Sequence, residues 1–341
     1  MFRFYKNPFR TVNQSITTYT TTIDGMEIKC NYIPVFAFYA WLSKQFGILI
    51  PFTRFKRIVN QIAYEAADYG GDGFSDIYGD RLFKQRFYNT LPLWKLNVPL
   101  IVLPQTIGPF KSKRYYNFAI RVLRHAKYVF VRDAKFEKEL KQLGIKYEQT
   151  KDLSAYMKPQ PFLIELKADA IGINVSGLAY SNKFVGLENQ FDAYPELIDA
   201  LICYFRDKGN DIYLIPHSYC YASPEPNNDD LVACRKAYSH LKDKSNVEVV
   251  DKDMIAPEVK YVISKMKFFI GTRMHANFAA IYTGVPLFGL AYSYKFVGAF
   301  NANGLDGEKQ TFIINNISAN QVHTIVQKVA NFYNEVFNVN A

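Results

Sequence analysis

The sequence predicts an α/β protein made of two successive doubly wound, Rossmann-like units. Three observations lead there. The chain has 341 residues, which suits two domains of ordinary size. From residue 64 onward, short apolar runs alternate with longer amphipathic segments, the pattern of βαβ units on a parallel sheet. The series runs twice, with a break at Pro159 and Pro161, so domains are expected at 1–160 and 161–341. Hydrophobic residues make up 49% and charged residues 21%, enough for a sizeable core and too apolar for a disordered chain.

Each element follows from local pattern. Residues 32–52 are the longest apolar stretch, interrupted by Ser43, Lys44 and Gln45 and flanked by Pro34 and Pro51. A lysine near the bilayer centre costs about 2.5–3.5 kcal/mol, so a membrane span is not expected there. A helix with a basic end at Arg54, Lys56 and Arg57 fits the stretch, either in the core or lying on a membrane. In the first half, strands are expected at 99–103 and 128–131 and helices at 113–125 and 134–143, the second helix closed by Gly144. The second half reads as strands at 171–175, 211–215, 247–250, 268–270 and 286–290. Its helices are expected at 194–207, 229–241, 257–266 and 272–283, with a terminal helix at 321–336. In such folds ligands bind at the carboxyl ends of the strands, and hence in a cleft between the two domains.

Charge and cysteine usage narrow the function classes. The net charge is +10, and it is uneven: residues 1–168 hold 26 Lys and Arg against 13 Asp and Glu, while residues 169–341 hold 15 against 18. A basic half invites nucleic acid, an anionic membrane surface or phosphorylated small substrates. No zinc-finger, RNP or KH pattern is present and the basic residues are scattered through βα units, so nucleic acid is not the expected partner. Four cysteines form no C-x-x-C pair, which argues against a disulfide framework or a structural zinc site and for a reducing, cytoplasmic setting. No apolar core follows the basic N-terminus, so a secretory signal is not expected.

Several polar segments stand at strand ends. FFIGTRMH at 268–275 ends a strand at Gly271, offers Thr272 as a helix cap, and puts Arg273, Met274 and His275 in the first turn. Such a point attracts anions; Arg273 adds a planar fork, and His275 a group able to move a proton near neutral pH. The plainer alternative is a core histidine beside a surface arginine. YGGDGFSDIYG at 69–79 allows close backbone approach through Gly71, and Asp72 and Asp76 can accept hydrogen bonds from sugar hydroxyls. It is neither a dinucleotide fingerprint nor a Walker loop. LPQTIGPF at 103–110 carries Gln105, and Lys111, Lys113 and Arg114 follow where cations oppose the helix dipole unless an anion sits there. Arg132 is either an anion ligand or the partner of Asp133, and His217 either a ligand or a structural histidine. Asp229 and Asp230 start a helix rather than bind a metal, since no third ligand has metal-like spacing.

Together these segments look familiar. GGDGFSDIYG at 70–79, PQTIGPF at 104–110, VRD at 131–133, DLSA at 152–155, IPH at 215–217, GTRMHA at 271–276, GVP at 284–286 and Y-x-K-x-x-G around Lys295 occur in the order seen in the polysaccharide pyruvyltransferase family. The resemblance covers about residues 60–300, and nothing before residue 60 matches the family's usual opening turn cleanly. It implies a glycosyltransferase-B-like fold. It also implies transfer of pyruvate from phosphoenolpyruvate onto two hydroxyls of a sugar, making a cyclic ketal. The family's arginine and R-x-H tripeptide map onto Arg132 and onto Arg273, Met274 and His275.

On that resemblance His275 is expected as the general acid/base, with Arg273 and Arg132 holding the anionic groups. Thr272, Met274, Gly71, Asp72, Asp76, Gln105, His217 and Lys295 are expected to bind substrate. No metal or cofactor is expected beyond phosphoenolpyruvate as donor substrate. The acceptor is expected to be a saccharide, free or lipid-linked, with the basic first half resting peripherally on an anionic membrane at its cytoplasmic face. A glycosyltransferase using a nucleotide-sugar donor is the alternative enzyme, and a non-catalytic membrane scaffold the alternative of another class.

Overall fold

The structure is a computed structural model that describes residues 2–8, 15–23, 26–71, 73–77, 79–184 except 89, 186–293 and 295–338. The chain forms two compact units, Met1–Leu153 and Ser154–Ala341.

Among the described residues, the first unit has two sheets. β1 (Phe2–Tyr5), β2 (Thr17–Ile23) and β3 (Met26–Phe36) form a three-stranded sheet with β3 central, parallel to β1 and antiparallel to β2. β4 (Glu65–Ala67), β5 (Leu100–Gln105), β6 (Ala126–Val131) and β7 (Glu148–Gln149) form a parallel sheet in simple sequential order. The small sheet is absent from the sequence expectation. Its strands lack a clean apolar alternation: the first half of β3 is exposed on both faces and only Ile33, Pro34 and Val35 are enclosed. The 32–52 stretch is therefore not one helix. It is the end of β3, a ten-residue helix Ala37–Phe46 closed by Gly47 in the left-handed region (φ 69), and a short irregular segment that ends in a turn at Pro51 and Phe52.

The helix Lys113–His125 runs as its periodicity predicts and buries Ala119, Ile120, Val122 and Leu123. Three cations stand at or just before its start. Asp76 resolves the conflict, since its carboxylate accepts from Lys111 N at 2.8 and 3.0 Å and from Ser112 N at 2.8 Å. The anion that this helix start attracts is supplied by the chain itself.

The second unit is one six-stranded, all-parallel sheet. Its strands are β8 (Ile171–Asn174), β9 (Ile212–Leu214), β10 (Val247–Val249), β11 (Phe268–Gly271), β12 (Leu287–Ala291) and β13 (Thr311–Ile313), in the order β10-β9-β8-β11-β12-β13. β8, β11 and β12 are buried along their whole length, because helices cover both faces. On one side the helix Tyr194–Asp207 buries Leu197, Ile198, Leu201, Ile202 and Phe205 at helical spacing, beside the terminal helix Ala319–Phe337. On the other lie Ala256–Ile263 and Met274–Ile281. The strand order reverses direction between β8 and β11, where Asn174 pairs with Gly271. Ligands of open α/β sheets bind at such a switch point.

Candidate active site

The carboxyl ends of β8, β9 and β11 bring Asn174, His217, Thr272, Arg273 and His275 to the switch point. Asp230 organises them. It stands in the first turn of the helix Asp230–His240, whose N-cap is Asp229, and its side chain is fully buried. One carboxylate oxygen accepts from Gly177 N at 2.9 Å and from Arg273 Nε and Nη2 at 3.0 and 2.8 Å. The other accepts from Asn174 Nδ2 at 3.2 Å and from the backbone nitrogens of His217 and Ser218 at 3.2 and 3.0 Å. Gly177 has to be glycine: a Cβ there would lie 2.3 Å from the Asp229 carbonyl oxygen.

Arg273 is thereby fixed on several sides. Its Nη2 also donates to the Asn228 carbonyl at 2.7 Å and to Asn228 Oδ1 at 2.8 Å, and its backbone N donates to Asn174 Oδ1 at 2.8 Å. Burial acts to lower its pKa, but Asp230 beside it outweighs that effect and the net shift is upward. Arg273, not Thr272, is the N-cap residue of Met274–Ile281. Thr272 is fully buried, and its hydroxyl pairs with the Tyr194 hydroxyl at 2.8 Å.

The two histidines differ. Burial pushes the His217 imidazole down to about 4; Asp230 opposes this, while His275 and Arg273 reinforce it, so His217 is neutral at pH 7. The electrostatic influence of His275 and Arg273 on His217 marks the three as neighbours. His275 is exposed, with its ring edge-on to Phe278 at 5.8 Å. Met274 packs partly into the core, and Lys295 starts the helix Lys295–Ala302 just beyond β12. Among the described residues, no group of three or more His, Cys, Asp or Glu side chains is placed to hold a metal ion.

The first unit has its own polar cluster, at the ends of β5 and β6. Arg132 Nη1 donates to Asp152 at 2.6 Å and Nε donates to Thr106 Oγ1 at 3.0 Å, and Thr106 in turn donates to Asp133. Gly71 lies against the guanidinium: a Cβ there would approach Nη1 to 3.4 Å, and its φ of 63 suits glycine. Gln105 is fully buried; it accepts from Tyr69 N and donates to the Ala67 and Leu103 carbonyls. It thus knits β4 to β5. Asp76 caps the helix start described above, and Asp72 lies outside the described residues.

Asp230, Asn174 and Asn228 were not among the expected site residues. The Asp229-Asp230 pair reads as a plain helix start, which it is; that its second carboxylate turns inward depends on contacts 43 to 56 residues away along the chain. Asn174, a polar residue closing an apolar strand ahead of Gly177, is the one local signal that could have been used.

The profile of the polysaccharide pyruvyl transferase family matches residues 21–294, most of the chain. The chain belongs to this family. The match begins in β2, so residues 21–59 are part of the family's domain, although its opening motif is not recognisable in the sequence. The amylovoran biosynthesis protein AmsJ of Erwinia amylovora is 22% identical over 255 residues, covering 69% of this chain and 58% of that protein. The present chain therefore spans less than two thirds of that relative's length. Among solved structures, UDP-GlcNAc 2-epimerase from Methanocaldococcus jannaschii is similar with a TM-score of 0.50 at 9% identity, over 72% of this chain and 67% of that one. The Neisseria meningitidis UDP-GlcNAc 2-epimerase gives a TM-score of 0.46 at 12% identity, over 84% and 77%. The likeness to the Methanocaldococcus enzyme concerns the fold alone, which is glycosyltransferase-B-like α/β.

Proposed function

We propose that this family member transfers pyruvate from phosphoenolpyruvate onto two hydroxyls of a sugar, forming a cyclic ketal during polysaccharide synthesis. The observation that carries the reading is the family match, together with an R-x-H tripeptide at the switch point of the second unit's sheet.

The chemistry assigns separate tasks to the side chains. A proton is delivered to the methylene carbon of phosphoenolpyruvate, leaving an oxocarbenium-like centre at the neighbouring carbon. A sugar hydroxyl attacks that centre and loses its proton. The carbon–oxygen bond to phosphate then breaks, the phosphate departs with the electron pair and the cationic centre forms again, and the second hydroxyl attacks it, loses its proton and closes the ring. His275, exposed beside the switch point, is the proton carrier in this reading. Arg273, held rigid by Asp230, stabilises negative charge as phosphate leaves. His217, neutral at working pH, serves as a hydrogen-bonding partner of the substrate and not as a cation. Within the second unit Lys295 adds a further cation, and in the first unit Arg132, with the Gly71 turn against its guanidinium, is a separate candidate anion contact. Gln105, Asp76 and Thr272 contribute by holding the backbone that presents these groups.

The acceptor in this reading is a saccharide, free or lipid-linked. Among the described residues no helix is long and apolar enough to cross a membrane. Incubation with phosphoenolpyruvate and acceptors ending in galactose, mannose or N-acetylhexosamine tests the reading. A pyruvyl mass increment on the sugar with matching phosphate release is expected. Nucleotide release from a nucleotide sugar, with no use of phosphoenolpyruvate, overturns it.

A further inference from the structure

The Ala37–Phe46 helix has two contrasting sides. Ala40 and Ser43 are buried, and Ser43 Oγ donates to the Pro92 carbonyl, so one side packs on the helix Leu91–Trp94. The other side carries Phe38, Trp41 and Phe46, which are 47%, 40% and 61% exposed. Phe38 stacks on Trp41 at 5.7 Å, and Trp41 meets Phe46 edge-on at 5.7 Å, which makes a run of aromatic rings standing in solvent. Phe52, six residues on, is 100% exposed, and its backbone is left-handed (φ 60). A bulky aromatic rarely adopts that conformation, and here the ring gains no packing from it. Exposed apolar surface of this kind marks an interaction site.

The charge around these rings identifies the partner. No acidic residue occurs between Glu27 and Glu65, and Lys29, Lys44, Arg54, Lys56 and Arg57 all lie in that interval. The helix Arg54–Val59, capped by Thr53, carries the last three directly after Phe52. A second copy of this chain on the same face would set like charges against like charges across a two-fold axis. Exposed aromatic rings in a segment whose own charges, Lys44, Arg54, Lys56 and Arg57, are all cationic match the interface of an anionic bilayer, where rings settle at the head-group level and cations meet lipid phosphates.

We propose that residues 38–57 form the surface by which this protein rests on an anionic membrane. The inference uses exposure and charge in the first unit only, and stands or falls separately from pyruvyl transfer.

The test is sedimentation of the full chain with vesicles of phosphatidylcholine alone or mixed with phosphatidylglycerol. Binding to the mixed vesicles at low salt is expected, with the tryptophan emission of W94F, in which Trp41 is the one tryptophan left, shifting to the blue. The variant F38S/W41S/F52S should bind about tenfold more weakly or less well still, and R54Q/K56Q/R57Q should lose the salt-sensitive part of binding. The Trp41 shift in W94F, which keeps the whole aromatic and basic surface, keeps the test decisive should the surface variants fold poorly. Absence of binding to either vesicle, or equal binding by the unaltered protein and the aromatic variant, overturns the proposal. So does a dimer that the aromatic variant abolishes while vesicles are ignored.

Discussion

Arg273 is clamped to Asp230 by two hydrogen bonds, 3.0 and 2.8 Å long, onto a single oxygen of a carboxylate that no solvent reaches. That oxygen also takes the Gly177 amide, and the other oxygen takes three more donors. The arginine of the R-x-H tripeptide is therefore a structural strut as well as a candidate for charge stabilisation. The two roles have to be separated by experiment.

Removing either partner leaves the other charge buried and short of compensation. Asp230→Ala and Arg273→Ala are each expected to lower the unfolding free energy by about 3–5 kcal/mol. Denaturant unfolding followed by circular dichroism measures this. Unchanged midpoints in both variants would show that the pair contributes nothing to the fold.

His275 should behave differently, because its side chain is exposed and caps no element. His275→Ala is expected to keep the unfolding midpoint and to lose about 10²–10⁴-fold in turnover of phosphoenolpyruvate. Near-normal turnover would remove His275 from the proton-transfer role without touching the family assignment.

His217 predicts an acid-side loss of stability. Its pKa is about 4 in the fold, against 6.5 for the ordinary imidazole. Between those values the unfolded chain takes up a proton that the folded chain refuses, so stability falls as pH drops from 6.5 toward 4. The loss is complete below the folded value and on the order of 3 kcal/mol. Unfolding midpoints of the wild type and His217→Gln at pH 7 and pH 5 test this. The variant should show the smaller decline, and equal declines would refute the assignment.

Glu65 predicts the opposite trend in the first unit. Burial at the start of β4 raises its carboxyl pKa to about 8 from 4.5. The folded chain keeps a proton that the unfolded chain has released, so this group erodes stability as pH rises from 4.5 to 8. Glu65→Gln is expected to stabilise the protein by on the order of 1–3 kcal/mol at pH 8 and hardly at all at pH 4. Thermal melts at the two values decide; a variant less stable than wild type at pH 8 contradicts the argument.

The second unit was the more legible half of the sequence. Its inner strands are buried on both faces and read as plain apolar runs, whereas the edge strand β13 was not expected, and the helix 194–207, like 113–125 in the first unit, has strong one-sided periodicity. The small β1–β3 sheet gave no such pattern, because most of β3 faces solvent and its pairing depends on Phe2 reaching Ile33 across a long gap. At the site, Arg273 and His275 stood out because they end a strand. Asp230 did not, since its neighbours Asn174 and Arg273 come from distant strands and only folding brings them together.

Asp76 at one helix start and Asp230 at the switch point have a shared bearing on inhibitor design. At these two positions peptide nitrogens that would otherwise welcome an incoming phosphate already have a permanent internal tenant. A compound built to mimic a phosphate in an amide cradle would have to evict a covalently tethered competitor, and one aimed at the Arg273 guanidinium would meet the same Asp230 carboxylate, whereas one built to reach the exposed His275 imidazole would not.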